Sequence, residues 1–182
     1  MNTHRQIILA SKSPRRADLL RMADIDFVVA SKNTPETHPQ GVPPHQIPQY
    51  LATQKAMAFL PEIDDHHLVI GADTIVICEG RIFEKPTDAA DAQRMLLALS
   101  GKTHTVVTGV CILSKHKQIA FSETTEVTFN TITPEEAAYY VSRYQPFDKA
   151  GSYACQEWIG AVAIKKFNGD YFNVVGLPVN RV

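Results

Sequence analysis

Ser11-Lys12-Ser13-Pro14-Arg15-Arg16 sets two hydroxyls and three cations between a short apolar run and the start of a helical pattern. Ser13 suits a helix cap and Pro14 a first helical position. Arg15 and Arg16 then put two cations in the first turn, where unpaired amides and a partial positive charge favour acids, at a cost of roughly a few tenths of a kcal/mol each. A local rule broken without visible compensation is expected mainly at functional sites. A phosphate chain would supply the missing negative charge, held by backbone amides, the hydroxyls of Ser11 and Ser13, and guanidinium forks. Two solvated surface arginines are the competing reading, and the motif is not a glycine-rich P-loop.

A second feature is Gly71-Ala72-Asp73-Thr74, which places a carboxylate in an apolar run where it needs a partner. Asp73 reads either as a turn cap bonded to its own backbone neighbours or as a carboxylate at a strand end. In the second case it would bind a hard metal or take a proton from water, the two tasks that phosphoanhydride hydrolysis requires. Lys55, Lys85 and Lys149 are further cations, each of which also reads as a surface lysine. Glu36, in a polar loop, is a candidate second metal carboxylate. The seven histidines show no metal spacing, and His66-His67 reads as a loop pair.

The elements that would hold these residues follow from periodicity and caps. Ile7 to Ala10 reads as a buried strand and Pro14 to Met22 as a helix with Leu19 and Leu20 inward. A short strand at Phe27 to Ala30 leads into the proline-rich polar stretch Ser31 to Pro44, an expected active-site loop or flap. A helix from about Gln46 to Leu60, a strand from Leu68 to Cys78 and a second strand near Ile82 follow. Thr87 is the expected cap of a helix that carries Met95, Leu96 and Leu99 and stops at Gly101. Thr105 to Leu113 and Gln118 to Asn130 read as a hairpin. Thr133-Pro134-Glu135-Glu136 is a capping box opening a helix to about Tyr144. A strand from Ala161 to Phe167 and an apolar segment through Val175 and Leu177 close the chain. Mixed strands and helices with a hairpin predict an α/β class with a mixed sheet.

Composition narrows the function classes. A chain of 182 residues, 45% hydrophobic, fits one domain over 1–182. With 18 basic against 19 acidic residues it lacks the overall basic excess of non-specific nucleic-acid binders, so any anion site is local. Cys78, Cys111 and Cys155 are odd in number, far apart and set among apolar residues, as expected for reduced thiols in a reducing compartment. The apolar run after Arg5 is too brief for a signal peptide or membrane span, so a soluble, cytoplasmic protein is expected.

The joint set of Leu9-Ala10-Ser11-Lys12-Ser13-Pro14-Arg15-Arg16, Gly71-Ala72-Asp73-Thr74, Lys85-Pro86, Leu99-Ser100-Gly101 with His104 and Thr108-Gly109-Val110, Asp148-Lys149-Ala150-Gly151, and Asn173-Val174-Val175-Gly176-Leu177-Pro178 resembles the Maf nucleotide pyrophosphatases. The resemblance covers almost the whole chain. It implies a two-lobed α/β fold with a mixed, curved sheet flanked by helices, a cleft between lobes, and a dimer in many members. It also implies attack of water at the α-phosphate of a nucleoside triphosphate, pyrophosphate leaving, with a divalent cation such as Mg2+ or Mn2+. By resemblance Asp73 is the proton acceptor, Glu36 and Asp73 are the metal carboxylates, and Arg16, Lys55 and Lys85 contact the triphosphate. Arg15, Thr74 and Gln156 are similar to the branch acting on dTTP and UTP rather than the branch acting on 7-methylguanosine triphosphate. A neutral amide at Gln156 can donate to and accept from the O4 and N3-H edge of uracil or thymine. Glu157-Trp158 follows where glycine is common in the family. A nucleotide-binding regulator of division that hydrolyses nothing is the alternative from another class, and Asp73 speaks against it.

Overall fold

Local signals place most of the elements in the computed structural model, which describes residues 5–182. Strand β1 (Gln6–Ala10) runs into helix α1 (Pro14–Met22), which opens on Pro14 and buries Arg16, Ala17, Leu19 and Leu20. Ser13 occupies the N-cap position, yet its side chain makes no capping bond. Strand β2 (Val28–Ala30) precedes the irregular segment 31–43, and helix α2 (Ile47–Met57) follows a short 3-10 turn. Strands β3 (His67–Cys78) and β4 (Arg81–Phe83) pair in antiparallel fashion across the Glu79-Gly80 turn.

Helix α3 (Ala89–Leu99) is capped by Asp88, whose carboxylate accepts from the Asp91 N–H at 2.8 Å. The expected cap Thr87 lies one residue outside the cap position. Its own N–H and hydroxyl turn to the Asp91 carboxylate instead. Asp88 is the cap because its extended backbone, one residue before the helix, aims a side-chain oxygen at the third helical N–H. Strands β5 (Thr103–Leu113) and β6 (Gln118–Phe129) are neighbours joined by a turn in which the Ser114 N–H donates to the Lys117 carbonyl at 2.8 Å. Helix α4 (Pro134–Tyr144) has the complete expected capping box: the Glu136 N–H donates to the Thr133 hydroxyl, and the Thr133 N–H to the Glu136 carboxylate.

The tail departs from expectation. Residues Trp158–Ala163 form a helical turn, α5, and strand β7 begins only at Ile164 (Ile164–Asn168). The apolar run there is too short for periodicity to separate a buried helix from a strand. Helix α6 (Tyr171–Val175) follows. The described residues form a seven-stranded sheet in the order β2-β1-β3-β5-β6-β7, with β4 on β3. The β1 pairings to β2 and β3 are parallel, while β3–β4 and β6–β7 are antiparallel, so the sheet is mixed as predicted. No helix is long and apolar enough to cross a membrane among the described residues.

The described residues divide into two compact units, the first made of 5–73, 108–123 and 176–182 and the second of 74–107 and 124–175. In the first, Ala10, Ala52, Ala56, Phe59, Ile63, Val69, Cys111 and Leu113 form the core. Small residues dominate where α2 meets the sheet. A Cβ on Gly71 would lie 2.3 Å from the Ala52 carbonyl oxygen, and one on Gly109 would lie 2.1 Å from the Gln49 nitrogen. Glycine at both positions lets the helix backbone rest on the strands. The second unit has a larger core with Met95, Leu96, Leu99, Phe129, Tyr140 and Ile159, where α3 packs on α4. All three cysteines are buried, as their surroundings predicted.

Candidate active site

The approach of α2 to β3 has a chemical consequence in the first unit. Lys55, in the last turn of α2, reaches Asp73 on β3 with its ammonium 2.5 Å from Asp73 Oδ1, and the same nitrogen lies 3.4 Å from Glu36 Oε1. The Lys55 and Asp73 side chains are only 18% and 14% exposed, whereas Glu36 is 59% exposed, so an inner pair faces a carboxylate on an open loop. Asp73 therefore has the ionic partner that its apolar setting demanded. It sits inside the twelve-residue strand β3 and not at a strand end, because the apolar pattern continues through Ile75, Val76 and Cys78. The turn-cap reading does not hold: its partner is a lysine 18 residues earlier in sequence.

Arg16 belongs to the same unit. It is 9% exposed, its Nε donates to the Gly176 carbonyl at 2.8 Å, and its Nη1 donates to Ser11 Oγ at 3.1 Å. The Ser11 hydroxyl also accepts from the Ser13 N–H at 3.2 Å, which shapes the backbone entering α1. Burial lowers the Arg16 pKa, opposed by the nearby charge of Asp73, while Arg15 lowers it further and Glu36 raises it. That balance puts Arg16 within electrostatic reach of both carboxylates. The reading of Arg16 as a first-turn cation that contacts the triphosphate did not include this structural part: it ties α1 to a segment 160 residues away, and no local signal announces such a contact. Arg15 is half-buried, Ser11 buried and Ser13 half-buried.

Ser11, Ser13, Arg15, Arg16, Glu36, Lys55 and Asp73 thus all lie in the first unit, and Ser11, Arg16, Glu36, Lys55 and Asp73 form one charged and polar cluster. Thr74, Lys85 and Gln156 belong to the second unit, with Thr74 half-buried and the other two exposed. No group of three or more His, Cys, Asp or Glu side chains with metal-site geometry occurs among the described residues. Two carboxylates that converge on a single cation nevertheless make an oxygen-donor set of the kind that suits a small hard ion. The cluster combines fixed cations with a carboxylate able to accept a proton, the equipment for stabilising charge on phosphoryl oxygens.

Relatives match this chain along nearly its whole length. A family model described as Maf-like protein matches residues 6–182. The chain is 48% identical over 178 residues to a Porphyromonas gingivalis protein named dTTP/UTP pyrophosphatase, covering 96% of this chain and 89% of that one. Proteins of the same name from Phocaeicola vulgatus and Bacillus cereus are each 47% identical over 178 residues, covering 97% and 98% of this chain and 92% of their own. Among solved structures, the Staphylococcus aureus Ham1 protein aligns over 69% of this chain and 72% of its own with 16% identity and a TM-score of 0.49.

Proposed function

The chain belongs to the Maf-like protein family, and on that premise we propose that it hydrolyses dTTP and UTP to the monophosphate and pyrophosphate. The observation that carries the reading is the Lys55 ammonium set between Asp73 and Glu36, in a cluster that Arg16 joins electrostatically. In the reaction, water attacks the α-phosphorus, its proton passes to the Asp73 carboxylate, and the bond from the α-phosphorus to the bridging oxygen breaks as pyrophosphate leaves. Lys55 orients Asp73 and, with Arg16, Lys85 and the Ser11 and Ser13 hydroxyls, binds the triphosphate. Glu36 and Asp73 would hold a divalent cation, which when bound supplies neutralising charge for the phosphates and the leaving group. Arg15, Thr74 and Gln156 select the base, Gln156 through a carboxamide that can pair with the 4-oxo edge of uracil or thymine. Three buried cysteines, far apart in sequence, support a cytoplasmic enzyme.

Pyrophosphate release by the purified protein tests this, measured on dTTP, UTP, dCTP, GTP and 7-methylguanosine triphosphate with magnesium or manganese, and again with excess chelator. Preference for dTTP and UTP, abolished by chelation and restored by either metal, is the expected result. Preference for 7-methylguanosine triphosphate over both pyrimidines would overturn the substrate assignment, and full turnover in chelator would overturn the metal role.

A further inference from the structure

Residues 151–155 are all buried, and Gln156 is the first exposed side chain after them. It stands on a tight turn closed by the Glu157 N–H donating to the Ala154 carbonyl at 3.1 Å, with Cys155 and Gln156 as the two central residues. Both ends of that turn are held by one atom. The Tyr140 hydroxyl, on α4 and in the core, accepts from the Ala154 N–H at 3.2 Å and donates to Glu157 Oε2. The other Glu157 oxygen lies 3.4 Å from the Lys149 ammonium, which Asp148 also meets at 2.8 Å. The Lys149 side chain is 10% exposed and that of Glu157 25%. Within the turn, Cys155 Sγ lies 3.5 Å from Gln156 Oε1. Stacking of the Tyr140 ring against Tyr144 and Trp158, at 5.0 and 6.5 Å between centroids, fixes where the hydroxyl points.

A largely buried Lys–Glu–Tyr network is a poor way to gain stability, since apolar residues of similar volume are often as good or better. Its benefit is geometric: three directional contacts over-determine a four-residue turn whose tip carries one exposed carboxamide. We propose that Tyr140, Glu157 and Lys149 are positioning residues that hold the Ala154–Glu157 turn so that Gln156 presents its amide to the base, and that they set discrimination between 4-oxo and 4-amino pyrimidines. The inference rests on the base-selecting role given to Gln156 above. Cytosine offers a donor where uracil and thymine offer O4, so discrimination depends on which end of the amide faces the base and how firmly it is held.

The test measures kcat and KM separately for dTTP and dCTP in the wild type and in Tyr140→Phe, Glu157→Gln, Glu157→Ala and Gln156→Ala, with melting followed for each. In Tyr140→Phe and Glu157→Ala the ratio of kcat/KM for dTTP over dCTP is expected to fall about tenfold, chiefly through a higher KM for dTTP. Glu157→Gln, which keeps an acceptor for the tyrosine, is expected to recover part of the ratio. An equal loss on both nucleotides in Tyr140→Phe and Glu157→Ala, tracking melting temperature, would overturn the inference and leave the network a stabilising feature only. If Gln156→Ala itself leaves the ratio unchanged, the base-selecting role fails and the inference falls with it. If Gln156→Ala abolishes discrimination while the Tyr140 and Glu157 variants keep it, the role of Gln156 stands and the positioning inference alone is overturned.

Discussion

The two units use polar groups in opposite ways. In the first, the half-buried Lys55 and Asp73 and the open Glu36 form an ionic cluster around small residues, with Gly71, Ala52 and Ala56 at the helix-strand contact. In the second, His104 is 1% exposed and set edge-on to Phe129 and Tyr153 at 4.9 and 5.4 Å between ring centroids, bonded through Nε2 to the Tyr153 hydroxyl at 2.7 Å. Its Nδ1 has no protein partner among the described residues. A cluster of charges at 14% to 59% exposure can exchange partners with a ligand, whereas an imidazole sealed among aromatic rings can only stabilise or destabilise the fold. The contrast teaches that chemistry and stability are separable here by substitution.

Asp73→Asn should sharpen that separation most. Turnover is expected to drop roughly 100-fold or more, the scale of a lost general base or metal ligand, while circular dichroism and melting stay near wild type. Near-normal rates in a folded Asp73→Asn protein would remove the chemical role of the cluster.

His104 should show the converse behaviour. Burial pushes its pKa down from 6.5 to about 4. The folded state therefore favours the neutral ring, so stability is complete above pH 6.5 and is lost as pH falls toward 4, where the unfolded chain binds the extra proton. A fall of that size corresponds to about 3 kcal/mol. His104→Gln, which does not titrate, should flatten the slope. Urea titrations at several pH values between 7 and 4 check it, and parallel slopes in the two proteins would refute the assignment.

Gly71→Ala should break both properties at once. Its Cβ would meet the Ala52 carbonyl oxygen at 2.3 Å and the Ala56 nitrogen at 3.0 Å, so α2 must move, taking Lys55 from Asp73. A loss of about 1 to 3 kcal/mol in stability is expected, the range for forcing atoms into a packed contact, with a fall in kcat. Unchanged denaturation midpoint and turnover would show that the helix does not depend on the glycine. The smallest effect is expected at Thr133→Ala, which removes half of a capping box remote in sequence from the cluster. It should cost about 1 kcal/mol in stability and leave kcat/KM on dTTP untouched, because Tyr140 lies well inside α4 and keeps its place when the first turn loosens; a change in rate would argue that the first turn of α4 is itself coupled to the chemistry.

The sequence by itself determined those features whose causes lie within a few residues. Pro14 starts α1, the Thr133 box starts α4, and runs rich in apolar and β-branched residues make β1, β3, β5 and β6, each because caps and local propensity act within a few residues. The same local rules misjudged Thr87 against Asp88 and made Ala161–Ala163 a strand, where two neighbouring cap residues compete or the run is too short to show a period. Residue types in their local settings singled out Ser11, Arg16, Glu36, Lys55 and Asp73, to which the resemblance added roles, but their convergence was decided by tertiary structure. Gly71 lets α2 rest on β3, and only that contact brings Lys55 to Asp73 with Glu36 beside it. Arg15 and Arg16 look alike in sequence, and packing alone gives Arg16 a buried bond to the Gly176 carbonyl. Tyr140 shows the same limit: nothing near it in sequence says that its hydroxyl closes a turn fourteen to seventeen residues later. Directional contacts between distant segments depend on how the backbone packs, and packing is set by the whole core rather than by any one stretch of it.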